Sequence, residues 1–385
     1  MKIKDMFLLN KDFYFFNHGS YGACPDYVFQ KYMDKARLLE SQPIDYFQKL
    51  LLPELANSRA RIAEFIGAES DDIILTKNAT YAANMVIRSL ELRPQDEIII
   101  TNLEYGACIN AWKFWQQEKG FQIRIVDFTL PLPDTDKIIE RFEAQITSNT
   151  KAIYFSHITS TTAQLLPAAE LCSLAEKHNI LSILDGAHGV GQLSLNLEKM
   201  KCDFYFSNLH KWLYAPKGTA ILYTKPDKQN LLKPLITGWG WGETRELLTG
   251  KDYVDFNLFY GTDDFSSFMV VGHCLDFYAA QKVSELKIEC NKLVKYFLSE
   301  IQEFTKLDSL YKSHSDEMML GVAELPSNTD LAKLKIDLYD KYKIEVPVNE
   351  WNGKKMIRIS VQIYNNKGQV DYFIAALKEL LSETR

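Results

Sequence analysis

Seven short apolar runs punctuate the chain between residues 71 and 224, with stretches of helical period between them. They are DDIILT (71 to 76), DEIIIT (96 to 101), FQIRIVDF (121 to 128), KAIYFS (151 to 156), NILSILD (179 to 185), DFYFSN (203 to 208) and GTAILYT (218 to 224). A strand with one wet face alternates apolar and polar residues. These runs are apolar at successive positions, as expected when helices cover both faces of a mostly parallel sheet. The connecting stretches ATYAANMVIRSLE, EYGACINAWKFWQQEK and PAAELCSLAEKHN carry apolar residues three and four apart, and Pro167 sits where a first-turn proline is tolerated. The pattern predicts an α/β fold: a three-layer α/β/α domain on a mostly parallel seven-stranded sheet.

The texture changes after the glycine- and tryptophan-rich stretch TGWGWGE (237 to 243). Two long helical patterns, SSFMVVGHCLDFYAAQK and SELKIECNKLVKYFLSEIQEF, precede the shorter strand candidates MMLGVAEL, IEVPV and KMIRISVQI and an amphipathic helix from about Val370 to Leu381. That order predicts a smaller C-terminal α+β domain. A length of 385 residues favours two domains over one. They are assigned to residues 21 to 260 and 261 to 385, after an N-terminal segment of residues 1 to 20.

Forty-four Lys and Arg against fifty Asp and Glu leave a net charge of −6, which excludes nucleic-acid binding spread over the whole surface and favours a small-molecule partner. No apolar run approaches the ~20 residues of a membrane-spanning helix. The opening MKIKDMFLLNKDFYFF is too interrupted by polar residues to be a signal-peptide core. Cys24, Cys108, Cys172, Cys202, Cys274 and Cys290 stand singly, without the paired spacing of a zinc knuckle or a disulfide framework. The expected setting is reducing and cytoplasmic.

Chemistry concentrates in NILSILDGAHGVGQ and DFYFSNLHKWLYAPKG. One strand ends in Asp185, and the next leads into a turn holding Ser207, Asn208, His210 and Lys211, so both tips fall at the carboxyl edge of the sheet where open α/β folds bind ligands. Pyridoxal phosphate requires such groups: a lysine for a Schiff base, a carboxylate for its ring nitrogen and a helix N-terminus for its phosphate. Lys211 and Asp185 suit the first two roles. In KNATYAAN, Asn78, Ala79 and Thr80 open a helix directly after a strand and suit the third. Tyr105, after DEIIIT, offers a flat ring at the same edge. His188 and His210 lack a third histidine at metal-site spacing, and neither GAHGVG nor GWGWGE is a dinucleotide fingerprint, so no metal is expected.

The segments NHGSYGACP (17 to 25), TKNATYAANMVIRSL (76 to 90), LEYGA (103 to 107), SHITSTTAQLLP (156 to 167), LDGAHGVGQ (184 to 192), SNLHKWLYAPKG (207 to 218), YGTDDFS (260 to 266) and RISVQIYN (358 to 365) carry a family resemblance. The chain resembles the class V aminotransferase-like, fold-type I pyridoxal-phosphate enzymes, and within them the isopenicillin N epimerase group. The resemblance implies Lys211 as the cofactor lysine, Asp185 on the pyridine nitrogen, Tyr105 on the ring face and His188 beside the ring. It implies Thr80, Ser207 and His210 near the phosphate, Arg358 on the substrate carboxylate, and Asn17 and His18 at the substrate entrance. Thr159 or Ser160 is implied to meet a cofactor oxygen, although the family often carries proline and glycine where this chain reads STTAQ (160 to 164). Thr262 of GTDD is implied to reach the phosphate of a neighbouring subunit, and hence a homodimer.

The expected activity is at the α-carbon of an amino acid, by epimerisation, racemisation or transamination. Two alternatives stand against it, a carbon–sulfur lyase and a catalytically silent binding module. A carbon–sulfur lyase needs no persulfide-forming thiol, and the chain has no cysteine after Cys290 to act as one. Epimerisation by two bases needs a second proton donor, for which His18 is a candidate. A catalytically silent binding module is the non-enzyme reading, disfavoured by the joint presence of Lys211, Asp185 and His210.

Overall fold

The computed structural model describes residues 3 to 243 and 249 to 383. After a two-residue strand β1 (Tyr14–Phe15), the chain lays down β2 (Ile73–Thr76), β3 (Glu97–Thr101), β4 (Gln122–Val126), β5 (Thr150–Ser156), β6 (Leu181–Asp185), β7 (Phe204–Asn208) and β8 (Ala220–Thr224). These seven form one sheet in the order β2-β8-β7-β6-β5-β3-β4, and β8 alone runs against the rest. All seven apolar runs become strands, six of them trimmed at their ends by up to two residues and KAIYFS lengthened by Thr150. The three-layer, mostly parallel α/β architecture is present as expected.

Burial explains which runs look uninterrupted. Every residue of β2, β7 and β8 is buried, and β2, although at an edge, is covered by the helix Asp252–Leu258. β4 forms the other edge, with Gln122 and Ile125 exposed, which accounts for the polar interruptions in FQIRIVDF. The strand order reverses between β3 and β5: β4 lies on one side, β6 and β7 on the other. The crevice beyond the carboxyl ends at such a reversal is where ligands bind.

The C-terminal part pairs β11 (Val348–Trp351), β12 (Lys354–Ser360) and β9 (Leu320–Leu325) in an antiparallel sheet, after a short β10 (Ile344–Glu345) that pairs with β1. The helices Val283–Thr305 and Lys367–Ser382 pack on each other, the first also against β9, and the second opens on an Asn366/Gln369 capping box. The N-terminal segment ties the two parts together. Phe16 stacks on Phe373 and its carbonyl accepts from the Ser360 N–H, and two residues later the turn His18–Tyr21 lies against the chain at His210 and Lys211. Val271–Ala280 packs on the helices Asp26–Ser41 and Leu51–Ile66, so the long helical region after residue 261 is shared between the two sheets' surroundings.

Two glycines of GAHGVG are required by closeness to Tyr205 on β7, not by a nucleotide. A Cβ on Gly186 would lie 2.1 Å from Tyr205 Cζ and 2.3 Å from Cε1, whereas one on Gly189 would lie 2.0 Å from the hydroxyl, with the next atoms 3.2 and 3.3 Å away. Gly189→Ala should therefore cost about 1–3 kcal/mol in urea unfolding, as overpacked cores do. That cost should largely vanish in a Tyr205→Phe background, because the obstructing atom is removed. Gly186→Ala meets ring carbons and should stay destabilising in both backgrounds; equal relief of the two would show the packing account to be mistaken.

Candidate active site

A cavity of about 150 Å³ opens at the strand-order reversal, lined by Ser20, Tyr105, Asp185, His188, Asn208 and Lys211 among others. Asp185 ends β6, Asn208 ends β7, Ser156 ends β5 and Tyr105 follows β3, so parallel strands deliver four walls of one pocket from four places in the sequence.

At the floor, Asp185 is 3 % exposed. Its Oδ1 accepts the Ala187 N–H at 2.9 Å, while Oδ2 receives only the Tyr154 hydroxyl at 3.3 Å and the Cys108 thiol at 3.5 Å. Burial raises its pKa, and the Ala187 N–H and the Lys211 charge oppose that rise. A buried carboxylate with one loosely satisfied oxygen toward the cavity is suited to a cationic N–H.

On the wall above, Lys211 Nζ lies 3.2 Å from His188 Nε2. Burial, and then the positive charge of Arg358, lower the Lys211 amine to about 8, against the pull of Asp185. Such an amine is partly neutral near pH 7 and nucleophilic. His188 is fully enclosed, and burial followed by the Lys211 charge holds its pKa well below the usual value.

The helix Ala79–Ser89 points its first turn into the cavity. Asn78 caps it by accepting the Tyr81 N–H at 2.8 Å, and the Asn208 carboxamide accepts the Ala79 N–H at 2.9 Å. Among the described residues the Thr80 N–H and hydroxyl make no hydrogen bond, leaving donors at a positive helix end for an anion. His210 also lines this end, with its Nδ1 against the Thr219 carbonyl at 3.2 Å and its pKa lowered to about 4 by burial and by Lys211. Asn208 had been read only as part of the polar turn. Its contact with Ala79 joins segments far apart in sequence, and no local pattern could announce it.

Arg358, from β12, does not itself line the cavity; it stands behind Ser20 and Ser160, which do. It is 5 % exposed, yet its guanidinium meets only the Ser160 carbonyl and hydroxyl and the Ser20 hydroxyl, and its Nε has no partner among the described residues. Its partners among the described residues are these serines and no carboxylate, and burial lowers its pKa to about 10. Ser20 and Ser160, which present it, line the cavity; Ser160 is the alternative to Thr159 for a cofactor-oxygen contact, while Ser20 carries no signal in the sequence.

Of the other expected site residues Tyr105 lines the cavity, whereas Ser207, Thr159, Asn17, His18 and Thr262 do not. Ser207 is buried behind the cavity, donating to the Gly186 carbonyl and accepting the Val190 N–H, and so shapes the glycine turn. Thr159 is buried with Thr162 and the Gln164 N–H. His18 is clamped between the Tyr364 hydroxyl and the Lys211 carbonyl, each 2.9 Å away, and Asn17 accepts from the Ser20 hydroxyl; neither lines the cavity. Their immediate neighbours Ser20 and Tyr21 do. Thr262 is exposed beside Asp263, which pairs with Lys77 just before the helix Ala79–Ser89. Tyr105 is 46 % exposed, with its ring at the cavity mouth.

The donor set fits pyridoxal phosphate. Asp185 suits the ring nitrogen, Lys211 the aldehyde carbon, and the first turn at Ala79 and Thr80 the phosphate, all on one cavity. No group of three or more metal-ligating side chains occurs among the described residues.

Comparison with known proteins agrees with this geometry. The family model described as aminotransferase class-V matches residues 14 to 373. Isopenicillin N epimerase of Amycolatopsis lactamdurans is 28% identical over 94% of each chain. Hercynylcysteine sulfoxide lyase of Schizosaccharomyces pombe is 26% identical over 99% of this chain and 97% of its own. Among solved structures, a cystine C–S lyase in complex with its product cysteine persulfide superposes with a TM-score of 0.82 at 20% identity, covering 97% of this chain and 98% of its own.

The Lys211 environment sets a pH dependence. The neutral amine is the attacking form, and burial lowers the pKa from 10.5 to about 8, so attack should strengthen as pH rises through 8 and level off above it. Borohydride trapping of an aldehyde on the cofactor-depleted chain, followed by mass spectrometry at Lys211, should give that midpoint. A midpoint near 10.5 would contradict the buried, Arg358-facing environment.

Proposed function

Because the chain belongs to the aminotransferase class V family and is a pyridoxal-phosphate enzyme, we propose that it labilises the α-proton of an L-amino acid and then expels a sulfur group from the β-carbon. The observation that carries an amino-acid substrate is Arg358: a buried guanidinium with an unpartnered Nε and no carboxylate among the described residues, set behind the cavity-lining Ser20 and Ser160 and near enough for its charge to lower the Lys211 pKa. A substrate carboxylate supplies the missing charge in bidentate form.

Bound in the cavity, pyridoxal phosphate supplies an electron sink for the charge left at the α-carbon. Asp185 holds a cationic ring N–H at the floor. Asn78, Ala79, Thr80 and His210 form the phosphate end. Lys211, as a neutral amine, takes the α-proton and holds it at Nζ. The electron pair left behind forms a carbon–carbon double bond as the carbon–sulfur bond breaks; sulfur leaves as thiolate, and hydrolysis of the unsaturated product yields a 2-keto acid and ammonia.

Elimination is preferred because it needs one base. His18, the sequence's candidate for a second, is engaged outside the cavity. A persulfide route lacks its nucleophile: Cys108 is the cavity's one cysteine among the described residues, and burial together with the Asp185 charge pushes its thiol well above the usual range. The likeness to two enzymes named as lyases supports this reading. Epimerisation is the second reading, supported by the 28% identity to an isopenicillin N epimerase and by Tyr21 and Tyr105, two cavity-lining phenols able to carry a proton. We further propose a cytoplasmic homodimer, consistent with six free cysteines, in which exposed Thr262 meets the partner's phosphate end.

Incubation of the holoenzyme with L-cysteine and S-substituted L-cysteines in deuterated water should release thiol and 2-keto acid. Deuterium at the α-carbon with inversion and no keto acid would replace lyase by epimerase, and keto acid with pyridoxamine phosphate would replace it by transaminase. Lys211→Ala should abolish the visible absorbance of lysine-bound cofactor. Arg358→Ala should raise KM roughly 10- to 100-fold, the worth of a charge-assisted pair, and Arg358→Lys should recover only part of that.

A further inference from the structure

The residue after the cofactor lysine is a tryptophan whose side chain turns inward. Trp212 is fully buried, its ring packed against His18 with centroids 5.1 Å apart, and its Nε1 donates to His188 Nδ1 at 3.2 Å. An indole nitrogen is a donor only. His188 Nδ1 must therefore present a lone pair, and the single proton of the neutral ring sits on Nε2. That Nε2–H faces Lys211 Nζ at 3.2 Å, and a donor there requires the lysine to accept, as only a neutral amine can.

We propose that Trp212 is a positioning residue that holds His188 in the Nε2–H tautomer, so that His188 meets Lys211 as a hydrogen-bond donor and not as an acceptor or a second cation. An imidazolium would set two donors against each other at Nδ1. The Nδ1–H tautomer would clash with the indole in the same way, and would turn Nε2 into an acceptor for an ammonium, stabilising Lys211 in its unreactive form. The other charged or titratable groups that act on His188 are Arg358 from β12, His18 from the N-terminal segment and His210 from the lysine turn; each disfavours a charged ring, so these groups among the described residues act in the same direction as the indole. Burial has the same sign.

Once Lys211 is engaged, the Nε2–H remains as a fixed donor at the cavity wall. The consequence for catalysis rests on the reading of Lys211 as the cofactor lysine, but the tautomer does not.

The test is nitrogen NMR of the full chain labelled with 15N-histidine, with the His188 signals assigned by their loss in His188→Gln. At about pH 9, above the Lys211 midpoint of about 8 where the amine is neutral and can accept, His188 should show one protonated nitrogen, Nε2, and one unprotonated, Nδ1, with no imidazolium. Trp212→Phe, which keeps a buried ring but removes the donor, should mix the two tautomers. It should also raise the Lys211 trapping midpoint by roughly one pH unit, the size of a hydrogen-bond effect. A wild-type Nδ1–H signal at about pH 9, an imidazolium at pH 7, or a Trp212→Phe spectrum identical to wild type would each overturn the assignment. If that variant does not fold, the wild-type tautomer decides alone. Failure of Lys211→Ala to change cofactor absorbance, with the tautomer as stated, would refute the cofactor role and leave the Trp212 inference standing.

Discussion

A carboxylate without water must be compensated by what surrounds it, and Asp185 sets that condition for the whole site. It stands at the tip of β6 between β5 and β7, with a phenol, a thiol and one backbone N–H as its donors. Burial alone makes its charge costly, and the Lys211 charge is the one full cation nearby that eases it. The floor is therefore built for a positive N–H from outside the protein, and the polypeptide is arranged so that such a group has somewhere to sit.

The same economy of charge runs through the other walls. Lys211, His188 and Arg358 are three basic groups in or beside one enclosure; Arg358 lowers the affinity of Lys211 for protons, and both lower that of His188. Two of them are given defined partners by neutral donors and acceptors: Trp212 for His188, and Ser20 and Ser160 for Arg358. A fully ionised cluster would repel itself, and one paired internally with carboxylates would have no capacity left for a substrate. Nearby, Glu104 follows the same rule. Burial raises its pKa to about 8, and hydroxyls of Ser156 and Thr101, each 2.6 Å away, are its partners.

Legibility from the sequence follows how local each interaction is. The apolar runs announce strands because a buried strand needs apolar side chains on both faces wherever it lies, and β4 breaks the pattern where it is exposed. Asp185, Lys211 and the Ala79–Thr80 turn are legible because a strand end or a helix start carries its own signature. Ser207 and Thr159 mislead for the complementary reason: a hydroxyl next to a strand tip looks the same whether it faces the cavity or binds the backbone behind it. His18 was expected at the entrance and instead clamps the lysine turn, while its neighbours Ser20 and Tyr21 occupy the cavity edge.

Sequence alone determined the fold class, the sheet's strands, the lysine and carboxylate at its carboxyl edge and the family to which they belong, since each rests on short-range periodicity or on contiguous motifs. Tertiary structure decided which atoms meet. Asn208 reaches Ala79, Tyr205 excludes side chains from Gly186 and Gly189, Trp212 sets the proton on His188, and Ser20 and Ser160 present Arg358. Most of these contacts join residues far apart in the chain. Even Trp212, next to Lys211 in sequence, acts on a histidine from another strand end. Distance and direction between such atoms arise only once the strands are ordered and stacked.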